Sequence, residues 1–126
     1  MASSSDCLKV YTADYESMYA SSDGGTTWSK MELQPYALYS YNIVISSSSD
    51  GSKLAISAVD PNTSQIVIFI SGDGGASWNK TLSLPIAQIY AIASSADGTN
   101  IFHLRSGSSG NVLQSTDGGQ TWTNTL

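Results

Sequence analysis

Apolar residues in this chain come in short bursts, each closed by serine, aspartate or glycine. The bursts are Val10-Tyr11-Thr12 and Met18-Tyr19-Ala20, then Ile43-Val44-Ile45, Leu54-Ala55-Ile56 and Ile68-Phe69-Ile70, then Tyr90-Ala91-Ile92, Ile101-Phe102-His103 and Val112-Leu113-Gln114. Thr27-Trp28-Ser29, Ser77-Trp78-Asn79 and Thr121-Trp122-Thr123 read as further strands. β-Branched and aromatic residues dominate these bursts, and Asp-Gly steps between them mark hairpins. No stretch places apolar residues at helical spacing between caps. The pattern predicts an all-β chain of many short strands.

The punctuation repeats. Ser21-Ser22-Asp23-Gly24-Gly25-Thr26-Thr27-Trp28 returns as Ser71-Gly72-Asp73-Gly74-Gly75-Ala76-Ser77-Trp78, and again as Ser115-Thr116-Asp117-Gly118-Gly119-Gln120-Thr121-Trp122. A second signal keeps the same beat. Ser47-Ser48-Ser49-Asp50-Gly51 matches Ser94-Ser95-Ala96-Asp97-Gly98, and Ser3-Ser4-Ser5-Asp6-Cys7 matches both with Cys7 where glycine stood. Cysteine takes positive φ less cheaply than glycine, so the first of these turns is expected to be distorted.

Four antiparallel strands per period of this length is the signature of a propeller blade. The expected architecture is a partial β-propeller of about three four-stranded antiparallel blades in one segment, residues 1–126. Blade one covers 1–32, blade two 41–82 and blade three 88–126. Blade one is expected to lack its innermost strand, because its recognisable pattern starts at the second strand.

The eight-residue signal explains itself as a folding device. An aspartate carboxylate can accept N–H bonds from its own turn, glycine supplies positive φ, and tryptophan brings an apolar face to pack under the hairpin. At these residues the chain resembles Asp-box (BNR-repeat) β-propellers, whose box reads Ser-x-Asp-x-Gly-x-Thr-Trp. The three copies supply Ser21, Asp23, Gly25, Thr27 and Trp28; Ser71, Asp73, Gly75, Ser77 and Trp78; and Ser115, Asp117, Gly119, Thr121 and Trp122, with Ser77 the one departure. The surrounding rhythm is most similar to propellers of the photosystem II assembly factor type; sialidases and sortilin-like receptors resemble it more distantly. The resemblance implies a structural role for the three aspartates, away from any ligand face. One carboxylate per turn also falls short of the roughly 6–8 oxygens a Ca²⁺ ion takes.

Composition narrows the chemistry. The chain has 126 residues, 5 basic and 10 acidic, for a net charge of −5; 24 are serine and 10 threonine. Lys9, Lys30, Lys53, Lys80 and Arg105 stand singly, so no basic cluster is available to neutralise nucleic-acid phosphates. No apolar run approaches the ~20 residues of a membrane span, and the opening Met-Ala-Ser-Ser-Ser-Asp lacks the basic and apolar regions of a signal peptide. A single cysteine, Cys7, excludes a disulfide framework or a cysteine-rich zinc site. The sequons Asn62-Thr63-Ser64 and Asn79-Lys80-Thr81 are no more than such a composition produces by chance.

Catalytic arrangements fare poorly. Box-family sialidases resemble one another in an arginine triad, and Arg105 is the only arginine. The acids outside the repeated turns are Asp14, Glu16, Glu32 and Asp60, with no pair in an apolar setting that would part their pKa values. Ser106-Gly107-Ser108-Ser109-Gly110 is not a nucleophile elbow, and Asp-Gly-Gly is too short for a P-loop. His103 reads as a partly buried strand residue. No catalytic, metal or cofactor site is expected.

In a propeller the loops between second and third strands share a face with the connections between blades, opposite the box hairpins. Tyr15, Tyr36, Tyr39, Asp60 and Asn62 then form a candidate binding face, and tyrosine with aspartate and asparagine suits protein or glycan recognition; packing of the tyrosines between blades is the alternative. Two complete blades and one lacking its innermost strand cannot close a ring, so the expected partner is a second copy completing six blades, or the rest of a longer propeller. The reading is a non-enzymatic scaffold for protein–protein assembly. A lectin-like glycan binder and a truncated piece of a sialidase-like glycoside hydrolase are the alternatives.

Overall fold

The computed structural model describes residues 1–14, 17–33, 43–107 and 111–126. Twelve strands make three four-stranded sheets, and no helix occurs among the described residues. The first sheet is β1 (Ala2–Ser3), β2 (Val10–Ala13), β3 (Met18–Ser21) and β4 (Ser29–Met31). The second is β5 (Val44–Ser47), β6 (Leu54–Asp60), β7 (Gln65–Ser71) and β8 (Asn79–Pro85). The third is β9 (Ile89–Ser94), β10 (Ile101–Arg105), β11 (Asn111–Ser115) and β12 (Thr123–Asn124). Every strand pairs antiparallel with its sequence neighbour, so each sheet is a simple meander.

Burial follows from stacking. The middle sheet is covered on both sides, and β6 is buried from Leu54 through Ala58, a run that is apolar except for Ser57, which lies 2.9 Å from His103 Nε2. One side, with Ile45, Leu54, Ile56, Val67, Phe69 and Trp78, packs against Tyr11 and Met18 of the first sheet. The other, with Ala55 and Ile68, packs against Ile92 and Ile101 of the third. Among the described residues the outer sheets are covered on one side only, and β10 accordingly alternates, with Ile101 and His103 buried but Phe102 and Leu104 exposed.

Three expectations are corrected. The first sheet does have its innermost strand. Ala2 pairs with Tyr11 and Ser3 with Val10, in the register of Ser46 and Ser47 against Ala55 and Leu54. Two residues before the first Ser-x-Asp turn are enough for two ladder pairs. The Cys7 turn is not distorted either. Cys7 adopts φ 57° and Gly51 φ 69°. Ser4 N–H bonds Lys9 O at 2.9 Å as Ser48 N–H bonds Lys53 O at 2.9 Å. The flanking bonds hold cysteine in the left-handed region at some cost in strain. Finally, Trp28, Trp78 and Trp122 end their turns rather than lie in strands; the fourth strands begin one residue later.

Candidate functional site

Each sheet has a hairpin end and a loop end, and the repeated signals all lie at the hairpin end. In the first Asp-Gly-Gly hairpin, Ser21 Oγ donates to Asp23 Oδ1 at 2.7 Å and accepts from Gly25 N–H at 2.8 Å. Asp23 then takes Thr27 N–H at 2.8 Å and Thr27 Oγ1 at 2.6 Å. Asp73 repeats this with Ser71 and Ser77, and Asp117 with Ser115 and Thr121. Thr27, Ser77 and Thr121, donating from hydroxyl and backbone, draw the three carboxyls down to about 2. Glycine is required at the turn, since Gly25, Gly75 and Gly119 have φ of 90°, 93° and 89°.

The Ser-x-Asp-Gly turns between first and second strands use the same chemistry. Ser48 Oγ donates to Asp50 Oδ1 at 2.6 Å and Ser95 Oγ to Asp97 Oδ1 at 2.5 Å. Within each sheet the two hairpins are joined by one backbone bond: Gly24 N–H to Leu8 O, Gly74 N–H to Ser52 O, and Gly118 N–H to Thr99 O.

Between sheets the same end is stitched. Ser5 N–H bonds Ser49 O at 2.7 Å, and Ser49 N–H bonds Ala96 O at 2.8 Å. Lys9 Nζ crosses to Asp50 O at 2.9 Å, and Lys53 Nζ to Asp97 O at 2.8 Å. Sequence reasoning saw these lysines as scattered single charges. The available signal was their shared position, each immediately before the second strand of its sheet. A cleft of about 210 Å³ opens between the second and third sheets, lined by Lys53, Ser94, Gly98, Asp117 and Gln120 among others. Its charged groups are already engaged, Lys53 with Asp97 O and Asp117 with its own turn.

At the loop end lie the candidate binding residues. Asp60 and Asn62 occupy one turn, where Asn62 N–H donates to Asp60 Oδ1 at 2.9 Å and Ser64 N–H to Asp60 O at 2.8 Å. The Asn62 bond is the main cause holding the Asp60 carboxyl below its ordinary value. Asn62 itself is exposed. The corresponding loop of the third sheet ties to the connection from the second: Ser106 N–H bonds Gln88 O at 2.8 Å, and Gln88 N–H bonds Ser106 Oγ at 2.9 Å. Tyr15, Tyr36 and Tyr39 fall outside the described residues, so the structure places two of the five candidates, and both in one turn.

His103 is 0 % exposed rather than partly buried. Its Nε2 lies 2.9 Å from Ser57 Oγ across the second interface, while Nδ1 is buried without a partner among the described residues. Burial, with the Arg105 charge second, pushes its pKa down to about 4, so the ring is neutral at pH 7. Among the described residues no three histidines, cysteines or acids gather as metal ligands.

Three stacked four-stranded meanders with interlocked hairpins define a partial β-propeller. Solved structures agree on the fold. A GH74 enzyme from Niastella koreensis superposes with TM-score 0.72 at 24% identity, over 98% of this chain and 17% of that one. YCF48 bound to a D1 peptide gives 0.72 at 19%, over 98% and 39%. An ancestral GH74 enzyme gives 0.68 at 15%, over 98% and 18%. The chain thus spans well under half the length of each. No family model and no curated protein matches the sequence.

Proposed function

We propose that this chain is a segment of an Asp-box propeller and acts as a non-enzymatic interaction module, a scaffold whose loop end takes a protein or peptide partner without a cofactor. One observation carries the reading. All eight aspartates, Asp6, Asp14, Asp23, Asp50, Asp60, Asp73, Asp97 and Asp117, accept a backbone N–H from their own turn. Carboxylates so engaged are folding devices. A glycosidase acid needs a carboxyl whose pKa is raised by its surroundings, and Asp60, outside the repeated turns, is shifted the other way. With the hairpin end consumed by its own bonds, the loop end is left for recognition. The YCF48 structure, with its bound D1 peptide, supports a peptide as the class of partner.

Peptide-array binding by the purified chain tests this. Binding to extended peptides that weakens at least about tenfold with the exposed-side-chain change Asn62→Ala is the expected result. Release of sugar from polysaccharides or sialosides by the pure chain would overturn it, as would glycan binding that vanishes with Tyr39→Ala while no peptide binds.

A further inference from the structure

The two open sides of the stack are the two halves of one interface, and we propose that a second copy of this chain closes them head to tail, third sheet against first, into a six-bladed ring. The two internal interfaces fix what each half must offer. On the side facing the next sheet, Tyr11 of the first and Ala55 of the second are buried. Their counterpart in the third is Phe102, paired with Ala93 as Ala55 is with Ser46, and it is 43% exposed. Leu104, the counterpart of fully buried Ser57, is 41% exposed. On the side facing the preceding sheet, Trp78 is buried, while Trp28 at the same position of the first sheet is 42% exposed. The open halves therefore carry apolar residues at the positions that the internal interfaces bury.

The occupant is identified by an exchange of sizes. At each internal interface a lysine stem lies across the glycine of the next turn. A Cβ on Gly51 would sit 2.6 Å from Lys9 Cδ, and one on Gly98 would sit 2.8 Å from Lys53 Cδ. At the open side the glycine is replaced by Cys7, in the same left-handed conformation and with its side chain exposed. The lysine's counterpart on the open third sheet is the shorter Asn100, which bonds through its carbonyl to Ser95 N–H as Lys9 does to Ser4 and Lys53 to Ser48. A smaller crossing residue thus faces a larger turn residue, on one chain, at the two surfaces that would meet. A lysine there would strike the cysteine side chain.

The backbone register is also ready. In the internal interfaces Ser5 N–H reaches Ser49 O and Ser49 N–H reaches Ala96 O. Continuing the series sends Ala96 N–H to Ser5 O of the second copy. Rings of three-blade segments hold multiples of three blades, and propellers hold roughly four to eight, so two copies is the count that closes.

Light scattering of the 126-residue chain at micromolar concentration is expected to give the mass of two 13.3 kDa chains. Phe102→Asp, exposed in the single chain, is expected to raise the dissociation constant at least about 100-fold with the strand signal in circular dichroism unchanged. Oxidation of Asn100→Cys with oxidised glutathione is expected to give a covalent dimer on a non-reducing gel, lost in the Cys7→Ser/Asn100→Cys double variant. A well-folded monomer would overturn the proposal and leave further blades as the occupant. A cross-link that survives Cys7→Ser would overturn it in favour of third sheet against third sheet. Peptide binding enters none of these readouts, so the ring and the proposed function fail separately.

Discussion

Trp78 and Trp28 end the same eight-residue hairpin, with the same aspartate, the same two glycines and nearly the same backbone. Yet one is 7% exposed and the other 42%. The aspartate clamps hardly differ, since the Asp23 and Asp73 bond sets agree within about 0.1 Å. The indoles do differ: Trp28 Nε1 donates to Gly25 O at 3.0 Å, whereas Trp78 Nε1 is buried with no partner among the described residues. The neighbour differs too: Met31 of the first sheet presses on Gly75, whereas among the described residues only the hairpin's own Trp28 lies near Gly25. The motif builds the turn unaided, but the burial of its tryptophan is supplied by the preceding sheet. Local hydrogen bonding and packing are separate contributions that happen to share eight residues.

Trp78→Ala is the sharpest way to break this contrast. It is expected to lower stability by about 3–5 kcal/mol in urea unfolding. In the dissociated Phe102→Asp background, Trp28→Ala is expected to cost under about 1 kcal/mol. If the two substitutions cost the same in that background, the exposure difference carries no energy and the contrast fails.

Acid probes the second interface. His103 has its pKa depressed from 6.5 to about 4 in the folded state. The unfolded chain therefore binds a proton near pH 6.5 that the folded chain refuses until about pH 4. Stability is full above 6.5 and falls as pH drops through that window, by up to about 3 kcal/mol. His103→Leu is expected to flatten this slope. A further decline is expected between the ordinary aspartate value of 3.8 and about 2, where Asp23, Asp73, Asp97 and Asp117 take up protons. An unfolding free energy unchanged between pH 7 and pH 4.5 would contradict the buried neutral histidine.

The smallest effect is expected at the first turn. In the dissociated background Cys7→Gly relieves a left-handed non-glycine residue and should stabilise by up to about 1 kcal/mol. Thermal unfolding would register it as a small rise in Tm; a fall would mean that the cysteine side chain makes contacts that outweigh its strain.

Much of the fold was legible because the hairpin chemistry is local. Serine, aspartate and glycine within eight residues close a turn whatever surrounds it, so the repeats marked the meanders correctly. The two-residue β1 was missed because Ala2–Ser3 is too short to show any alternation. The tryptophans were read as strand because an aromatic flanked by threonine or serine has strand composition; their place is set by the turn's bonds. The crossings of Lys9 and Lys53 join residues more than 40 apart, and nothing at that range leaves a local pattern. Asp60 is named as a candidate recognition residue from its place on the loop face, and its bond from Asn62 N–H is visible only in the structure, because a carboxylate that caps its own turn is spelled the same way as one that waits for a ligand.

The backbone bonds Ser5 to Ser49 and Ser49 to Ala96 run from sheet to sheet, across the strands rather than along them. They act as a hoop around one rim, like the band on a cask, and tie neighbouring staves at their ends. A hoop fixes the spacing of the staves without reference to what is mounted at the far end. The frame at this rim is therefore set by backbone bonds that do not involve the side chains at the opposite end.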